Sequence, residues 1–351
     1  MIYLDGSKTQ RIFLDKLIEL GVNASSARHV SESLIQTSLR GVDSHGIQLF
    51  PHYCSVVESG RINRDPIFSF AVGGPSVGTL DADSGFGHHS GWVGMTHAID
   101  MAKDTGLGAV AVKNSSHFRA AAYFGLEAAN RGCLGLAFTN ADSLIKAHGA
   151  RVAMTGTNPV CFCAPMLSEE PFCLDMATSV VSWNKIVQHR RLGVDIPSDW
   201  ACDENGEAVV RPESARTLLP AGGYKGFGLS LMVDILCGVL AQGPISKELL
   251  PMYQQLDVQR RVSHFFVAID ISRFVALNNF VSRLQEIASI TRSLPTLDGE
   301  IVQVPGDPEK RSFEQRSASG IPVDQAKFIE LLQVAPELQS ANMPQRQGTG
   351  S

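Results

Sequence analysis

The sequence contains no run approaching the roughly 18–20 consecutive apolar residues that a membrane-crossing helix requires. Its first residues, Met1-Ile2-Tyr3-Leu4-Asp5-Gly6, also lack the basic start and apolar stretch of a secretory signal. No membrane partner is expected. Excess positive charge is missing too: 30 Lys+Arg stand against 35 Asp+Glu, a net charge of −5, so a broad electrostatic grip on nucleic acid is excluded. Aromatic residues are few (7%) and glycines plentiful (32), which favours an α/β enzyme with tight loops over a β-sandwich. The seven cysteines are odd in number and dispersed, and Cys161 and Cys163 lie too close in sequence for a zinc knuckle. Free thiols in a reducing, cytoplasmic compartment are expected.

Several motifs are absent as well. No G-x-G-x-x-G joins a strand to a helix, no G-x-x-x-x-G-K-[ST] is present because Gly226 follows Lys225, and H-E-x-x-H, C-x-x-C and G-x-S-x-G are missing. The usual Rossmann, nucleotidase, zinc-protease and serine-hydrolase readings all fail. What remains is a 351-residue chain, 44% apolar and 19% charged, enough for one large domain or two ordinary ones.

The first 60 residues read as helical. Ile12, Leu14, Leu17, Ile18 and Leu20 share a face ended by Gly21, and Asn23 or Ser25 caps a second helix that stops at Arg40-Gly41. Residues 71–91 read as turns and loop. From there the pattern predicts a helix over 95–103, a strand over 109–112, a helix over 120–129 and a strand over 134–138. Strand, crossover and strand imply a parallel right-handed unit, whose ligands gather beyond the carboxyl ends, where His117 and Asn140 fall. A strand over 171–175, a helix from about Thr178, a loop-rich stretch over 190–220 and an apolar helix over 229–240 come next. A strand over 265–269 and helices over 279–290 and 323–334 precede a polar tail.

Four places carry candidate chemistry. Lys225, set among Gly222, Gly223 and Gly226, puts a cation where a backbone closely approaches a ligand, or is an exposed loop lysine. His117 and His45 are each able to exchange a proton near neutral pH, or else cap a helix or face water. Asp175 can accept from a ribose hydroxyl or cap a helix. His88 and His89 read as solvated loop residues.

Six ordered segments then carry a resemblance: Ser44-His45-Gly46, Asn114-Ser115-Ser116-His117, Gly156-Thr157-Asn158-Pro159, Leu174-Asp175-Met176-Ala177-Thr178-Ser179, Gly222-Gly223-Tyr224-Lys225-Gly226 and Pro305-Gly306-Asp307. Over roughly residues 5–335 the chain resembles the malate/L-lactate dehydrogenase family, the non-Rossmann group with ureidoglycolate dehydrogenase and diketogulonate reductase. The resemblance implies an α/β fold, with a non-Rossmann NAD(P)-binding mixed-sheet domain plus a helical domain from both chain ends. The implied division is an N-terminal helical part (1–70), a cofactor domain (71–260), a C-terminal part packed on the N-terminal helices (261–335) and a mobile tail (336–351).

It further implies His117 and His45 as catalytic acid/base residues. Asn140, Ala141, Leu174, Asp175, Met176, Ala177, Lys225, Gly226, Pro305, Gly306 and Asp307 would contact NAD or NADP. Ser44, Thr157 and Asn158 would shape the substrate pocket, and Arg119 is added as a cation toward the substrate. A homodimer is implied, and no metal. Three positions depart from the family pattern: Leu49 replaces an arginine, Arg119 a glycine, and Trp183-Asn184-Lys185 a small-Gly-Lys segment. The expected activity is NAD(P)-dependent interconversion of a small 2-hydroxy acid and its 2-oxo acid. Reduction of a cyclic imino acid or diketo-sugar acid is the alternative, and a non-catalytic cofactor-binding relative is the reading from another class.

Overall fold

The computed structural model describes residues 1–342. Both chain ends build one helical layer. Helix α1 (Gly6–Glu19) starts where the Asp5 carboxylate accepts from the Lys8 N–H at 2.8 Å, and α2 (Ala24–Leu39) where Asn23 does the same for Ser26. Their apolar faces bury Phe13, Leu17, Val30 and Leu34 with Phe50 of α3 (Phe50–Glu58) and Phe328 and Leu331 of α10 (Gln325–Val334). Strand β1 (Ile2–Leu4) pairs antiparallel with β13 (Ile321–Val323) and ties the two ends together. The expected mobile tail does not begin at 336. Pro336–Ala341 forms a 3-10 helix that buries Leu338, and Asn342 bridges to Leu4. The remaining expected tail, 343–351, lies outside the described residues.

The centre is a seven-stranded mixed sheet. Its order is β2 (Ser69–Gly74), β3 (Val77–Asp81), β4 (Leu107–Ser115), β12 (Val262–Asp270), β5 (Cys133–Thr139), β8 (Val160–Ala164) and β9 (Phe172–Met176). Helices α4 (Gly87–Thr105) and α5 (Ala122–Asn130) pack on it through Met95, Ile99 and Phe124 against Val110, Val112 and Phe266. A second small sheet holds β10 (Ala201–Cys202), β11 (Thr217–Leu218), β6 (Ile145–Lys146) and β7 (Ala153–Thr155). The remaining helices are α6 (Trp183–Leu192), α7 (Tyr224–Asp234), α8 (Leu277–Arg292) and α9 (Asp307–Ser319).

Five expectations need correction. Residues 71–91 are not all loop: they hold most of the β2–β3 hairpin and the start of α4. Strands β4 and β5 run parallel, as expected, but they are not neighbours. Strand β12 lies between them, antiparallel to both. The directly paired parallel unit is β3–α4–β4. Because β12 is central to this sheet, the C-terminal part does not pack wholly on the N-terminal helices. The helix expected near Thr178 begins at Trp183, and the one expected at Leu229 begins at Tyr224.

Candidate active site

The carboxyl ends of β4, β5 and β9 open onto one cavity of about 1370 Å³, closed on the far side by α2, the turn after it and the loop before α9. Of the sequence candidates, Ser44, His45, His117, Arg119, Asn140, Ala141, Thr157, Leu174, Asp175, Met176, Ala177, Pro305 and Gly306 line it. Asn158, Lys225, Gly226 and Asp307 do not.

His117 follows β4 on a segment fixed from behind. Gly87, the first residue of α4, lies so close that a Cβ there would stand 2.2 Å from the Ser116 carbonyl oxygen, and its N–H donates to Ser116 Oγ at 2.9 Å. The imidazole Nδ1 of His117 lies 2.9 Å from the Tyr53 hydroxyl. His45 sits in the 3-10 turn Asp43–His45, with its Nδ1 2.9 Å from Ser44 Oγ. That turn is pinned by Arg316 of α9, which grips Asp43 at 2.5 and 3.0 Å, and by Asn184 Nδ2 donating to the Ser44 carbonyl at 3.1 Å. The rings of His45 and His117 are 5.9 Å apart. Both imidazoles face a cavity ringed by protein. Burial, followed by Arg119, lowers His45 to about 4; burial, followed by His45 and Arg260, lowers His117 well below its ordinary range.

Arg119 is the unusual residue of the site. It is 2% exposed, its backbone has φ +71°, and its one side-chain partner is the Thr37 hydroxyl; Nε and Nη1 have none among the described residues. Burial lowers its pKa to about 10, with no carboxylate among the causes that oppose the shift. A guanidinium enclosed without an anion is costly. The other buried arginine bordering the cavity, Arg260, is paired with Asp142.

Asp175 lies at the end of β9, open to the cavity but surrounded by protein, so burial and then Cys173 push its carboxyl up to about 7. Its Oδ2 accepts from Ala122 N at 2.8 Å, so it caps α5 rather than the helix that follows it in sequence. Asn140 spends its side chain on Pro244 O and Ser263 N.

Three of the residues that miss the cavity, Asn158, Gly226 and Asp307, have structural work instead. Asn158 accepts from Ala141 N at 3.0 Å and donates to Ser230 O at 2.9 Å, so it shapes the loop rather than the pocket floor. Asp307 is gripped by Arg292 at 2.9 and 2.6 Å and accepts from Val304 N, which folds the Pro305-Gly306 turn. At Gly226 a Cβ would stand 2.3 Å from the Ala221 carbonyl oxygen, and Lys225 is exposed on the first turn of α7. His88 is fully buried with both ring nitrogens unpartnered among the described residues, contrary to the solvated reading, and His89 packs against Phe68 with its Nδ1 3.0 Å from Ser26 Oγ. Sequence reasoning missed Tyr53, Arg260, Asp142 and Arg316. None sits within a recognisable motif, and Arg316 reaches Asp43 across 273 residues.

The malate/L-lactate dehydrogenase family pattern matches residues 4–332. The malate dehydrogenase of Pyrococcus abyssi (strain GE5 / Orsay) is 39% identical over 330 residues, covering 91% of this chain and 90% of that protein. Ureidoglycolate dehydrogenase (NAD(+)) of Escherichia coli O157:H7 is 32% identical over 310 residues, covering 88% and 89%. Among solved structures, malate dehydrogenase from Entamoeba histolytica superposes with a TM-score of 0.91 at 28% identity, over 98% of this chain and 99% of that one.

Proposed function

The chain belongs to the malate/L-lactate dehydrogenase family and is an oxidoreductase, and from that premise we propose that it transfers hydride between NAD or NADP and a small 2-hydroxy acid or its 2-oxo acid. The observation that carries this reading is the meeting of His45, His117 and the unpaired Arg119 on one wall of the cavity. The cavity exceeds the roughly 300–1,000 Å³ usual for one small ligand. At about 1370 Å³ it has room for a dinucleotide and an acid together.

Leu174 to Ala177, Asn140, Ala141 and Pro305-Gly306 would hold the dinucleotide, with the Asp175 carboxyl available to a ribose hydroxyl. The nicotinamide, when bound, accepts or supplies the hydride. In the oxidation direction the base is His117. Burial, the largest effect on Tyr53, raises its phenol above its ordinary value, so the hydroxyl stays protonated and acts as a neutral anchor for Nδ1. That leaves Nε2 to take the substrate hydroxyl proton as the hydride departs; in reduction the same nitrogen returns it. His45 is the parallel candidate, oriented by Ser44. Arg119 receives the substrate carboxylate, and Thr157 and Leu49 border the remaining space.

Charge couples binding to proton transfer. A carboxylate on Arg119 cancels the cation that adds to burial in depressing His45, and so raises that imidazole toward the operating pH. Asn184, one of the family departures, donates to the Ser44 carbonyl and so touches the catalytic turn from the cavity wall.

A second copy of the chain is the natural cover for α7 and the π-helical turn after it, where Leu229, Leu231, Met232, Ile235, Val239 and Leu240 are exposed. A homodimer is proposed on that ground. Seven unbridged cysteines support a cytoplasmic setting, and among the described residues no helix is long and apolar enough to cross a membrane.

The direct test crosses NADH and NADPH with 2-oxo acids and cyclic imines and follows loss of the reduced-nicotinamide absorbance. Turnover with a 2-oxo acid is expected. Turnover confined to cyclic imines transfers the assignment to the imino-acid alternative, and quenching of NADH fluorescence without any turnover favours the non-catalytic one.

A further inference from the structure

Behind the cavity wall, three thiols converge. Cys163 on β8 is directly opposite Cys173 on β9, and Cys161, two residues earlier, shares their face. Cys173 N is bonded outward to Pro305 O at 3.3 Å rather than across to β8, so Cys163 and Cys173 form a close, non-hydrogen-bonded pair. Their sulfurs lie 3.3 Å apart, the Cys161 and Cys163 sulfurs 3.7 Å, and all three lie within 4.8 Å of one another. Opposite them α5 presents Gly125, where a Cβ would stand 2.8 and 2.9 Å from Cys163 and Cys161 Sγ. Packing alone asks only for small apolar side chains at these positions, which alanine would satisfy.

We propose that Cys161, Cys163 and Cys173 form a binding site for one soft, thiophilic cation of the Cu(I) class. A metal about 2.3 Å from each sulfur in a planar three-coordinate site sets the sulfurs about 4 Å apart; the separations of 3.3 and 3.7 Å are a few tenths of an ångström shorter, and the third is within 4.8 Å. All-sulfur ligation selects a soft ion over magnesium or calcium. Cys173 is the gate, 7% exposed and bordering the cavity. Arg40 and Lys310 add positive charge near it, and Asp175 lies on the same side and opposes further negative charge. Binding exchanges three S–H protons, released to buffer, for three S–metal bonds, with no change in oxidation state. In the sequence Cys161 and Cys163 lie too close for a zinc knuckle; the pairing of β8 with β9 brings Cys173 to them. This site is independent of the dehydrogenase reading, although a bound ion would stiffen β9 just before Leu174.

The test titrates the purified, reduced protein with Cu(I) under anaerobic conditions against a chromophoric Cu(I) chelator, with native mass spectrometry as a second readout. One equivalent is expected to be retained, with an ultraviolet sulfur-to-metal band. Retention should fall at least tenfold in Cys173→Ser and in Cys161→Ala, and remain unchanged in Cys237→Ser, whose buried thiol stands apart from the cluster. Circular dichroism confirms that each variant is folded. Retention in Cys173→Ser, equal loss in Cys237→Ser, or a mass loss of two hydrogens in place of a metal gain overturns the proposal. If Cys161→Ala unfolds, Cys163→Ala provides the second removal.

Discussion

Replacing Arg119 by Met should move stability and activity in opposite directions. The side chain is enclosed, near its ordinary length would be matched by methionine, and has no anionic partner among the described residues. Replacing buried ion pairs by apolar side chains of similar volume is often neutral or stabilising by about 1–4 kcal/mol, and Arg119 carries its desolvation cost with no anion to offset it. The ligand-free protein should therefore melt a few degrees higher. The left-handed backbone at φ +71° is kept by the exchange, so the change reports the charge and not the strain. In catalysis the guanidinium is assigned the substrate carboxylate, and a hydrogen bond to a charged group contributes about 1.5–3 kcal/mol. Its loss should lower kcat/KM for a 2-oxo acid roughly 10–150-fold. Cofactor affinity, measured by NADH fluorescence, should stay within about twofold, roughly 0.4 kcal/mol. Thermal denaturation and steady-state kinetics on one preparation decide it. A lower Tm together with unchanged kcat/KM would refute the reasoning, because Arg119 would then be a structural residue satisfied in a way the geometry does not show.

Other outcomes follow from the same site. His117→Ala should remain folded yet lose about 10²-fold or more in turnover; a loss of only a few-fold removes His117 from its role, and His45→Ala is the parallel measurement. Stability should fall in mild acid. His29, His88 and His264 are enclosed and neutral, with burial lowering His29 and His264 to about 3 and His88 well below its ordinary value. Because the folded pKa lies below the unfolded one, their stabilisation is full above pH 6.5 and is lost as pH falls. At pH 5.5 the three together should cost about 4 kcal/mol, and a pH–denaturant series showing no loss between pH 7.5 and 5.5 contradicts that protonation assignment. Ile235→Glu, on the exposed apolar face after α7, should convert a dimer to a monomer by size-exclusion chromatography with light scattering; an unchanged mass excludes that face as the interface.

The legible parts of the sequence were local. The apolar spacing of α1 and the cap at Asn23 before α2 announced those helices, and the continuous apolar runs of β4 and β5 marked strands whose carboxyl ends do carry His117 and Asn140 to the cavity. The β2–β3 hairpin was hidden because Ser69–Gly74 is mostly exposed and carries no alternation of apolar and polar residues. The start of α4 was hidden because its glycines look like turn residues, whereas Gly87, Gly91 and Gly94 are set by close approach to Ser116, Phe124 and Val112. The insertion of β12 between β4 and β5 is a long-range pairing with no local signature. The same holds for the site: motif residues were found, but Tyr53 behind His117 and Arg316 beneath His45 are known only once the fold brings them there. Asn158 and Asp307 belong to recognisable motifs and still serve as braces.

The most direct measurement is a crystal structure with bound dinucleotide and an unreactive 2-oxo acid analogue. The nicotinamide should lie between the Leu174–Ala177 wall and the His45–His117 pair, with the analogue's carboxylate on Arg119 and its oxo group within hydrogen-bonding reach of one imidazole. A dinucleotide seated away from both imidazoles, or a carboxylate held by some other cation, contradicts that placement.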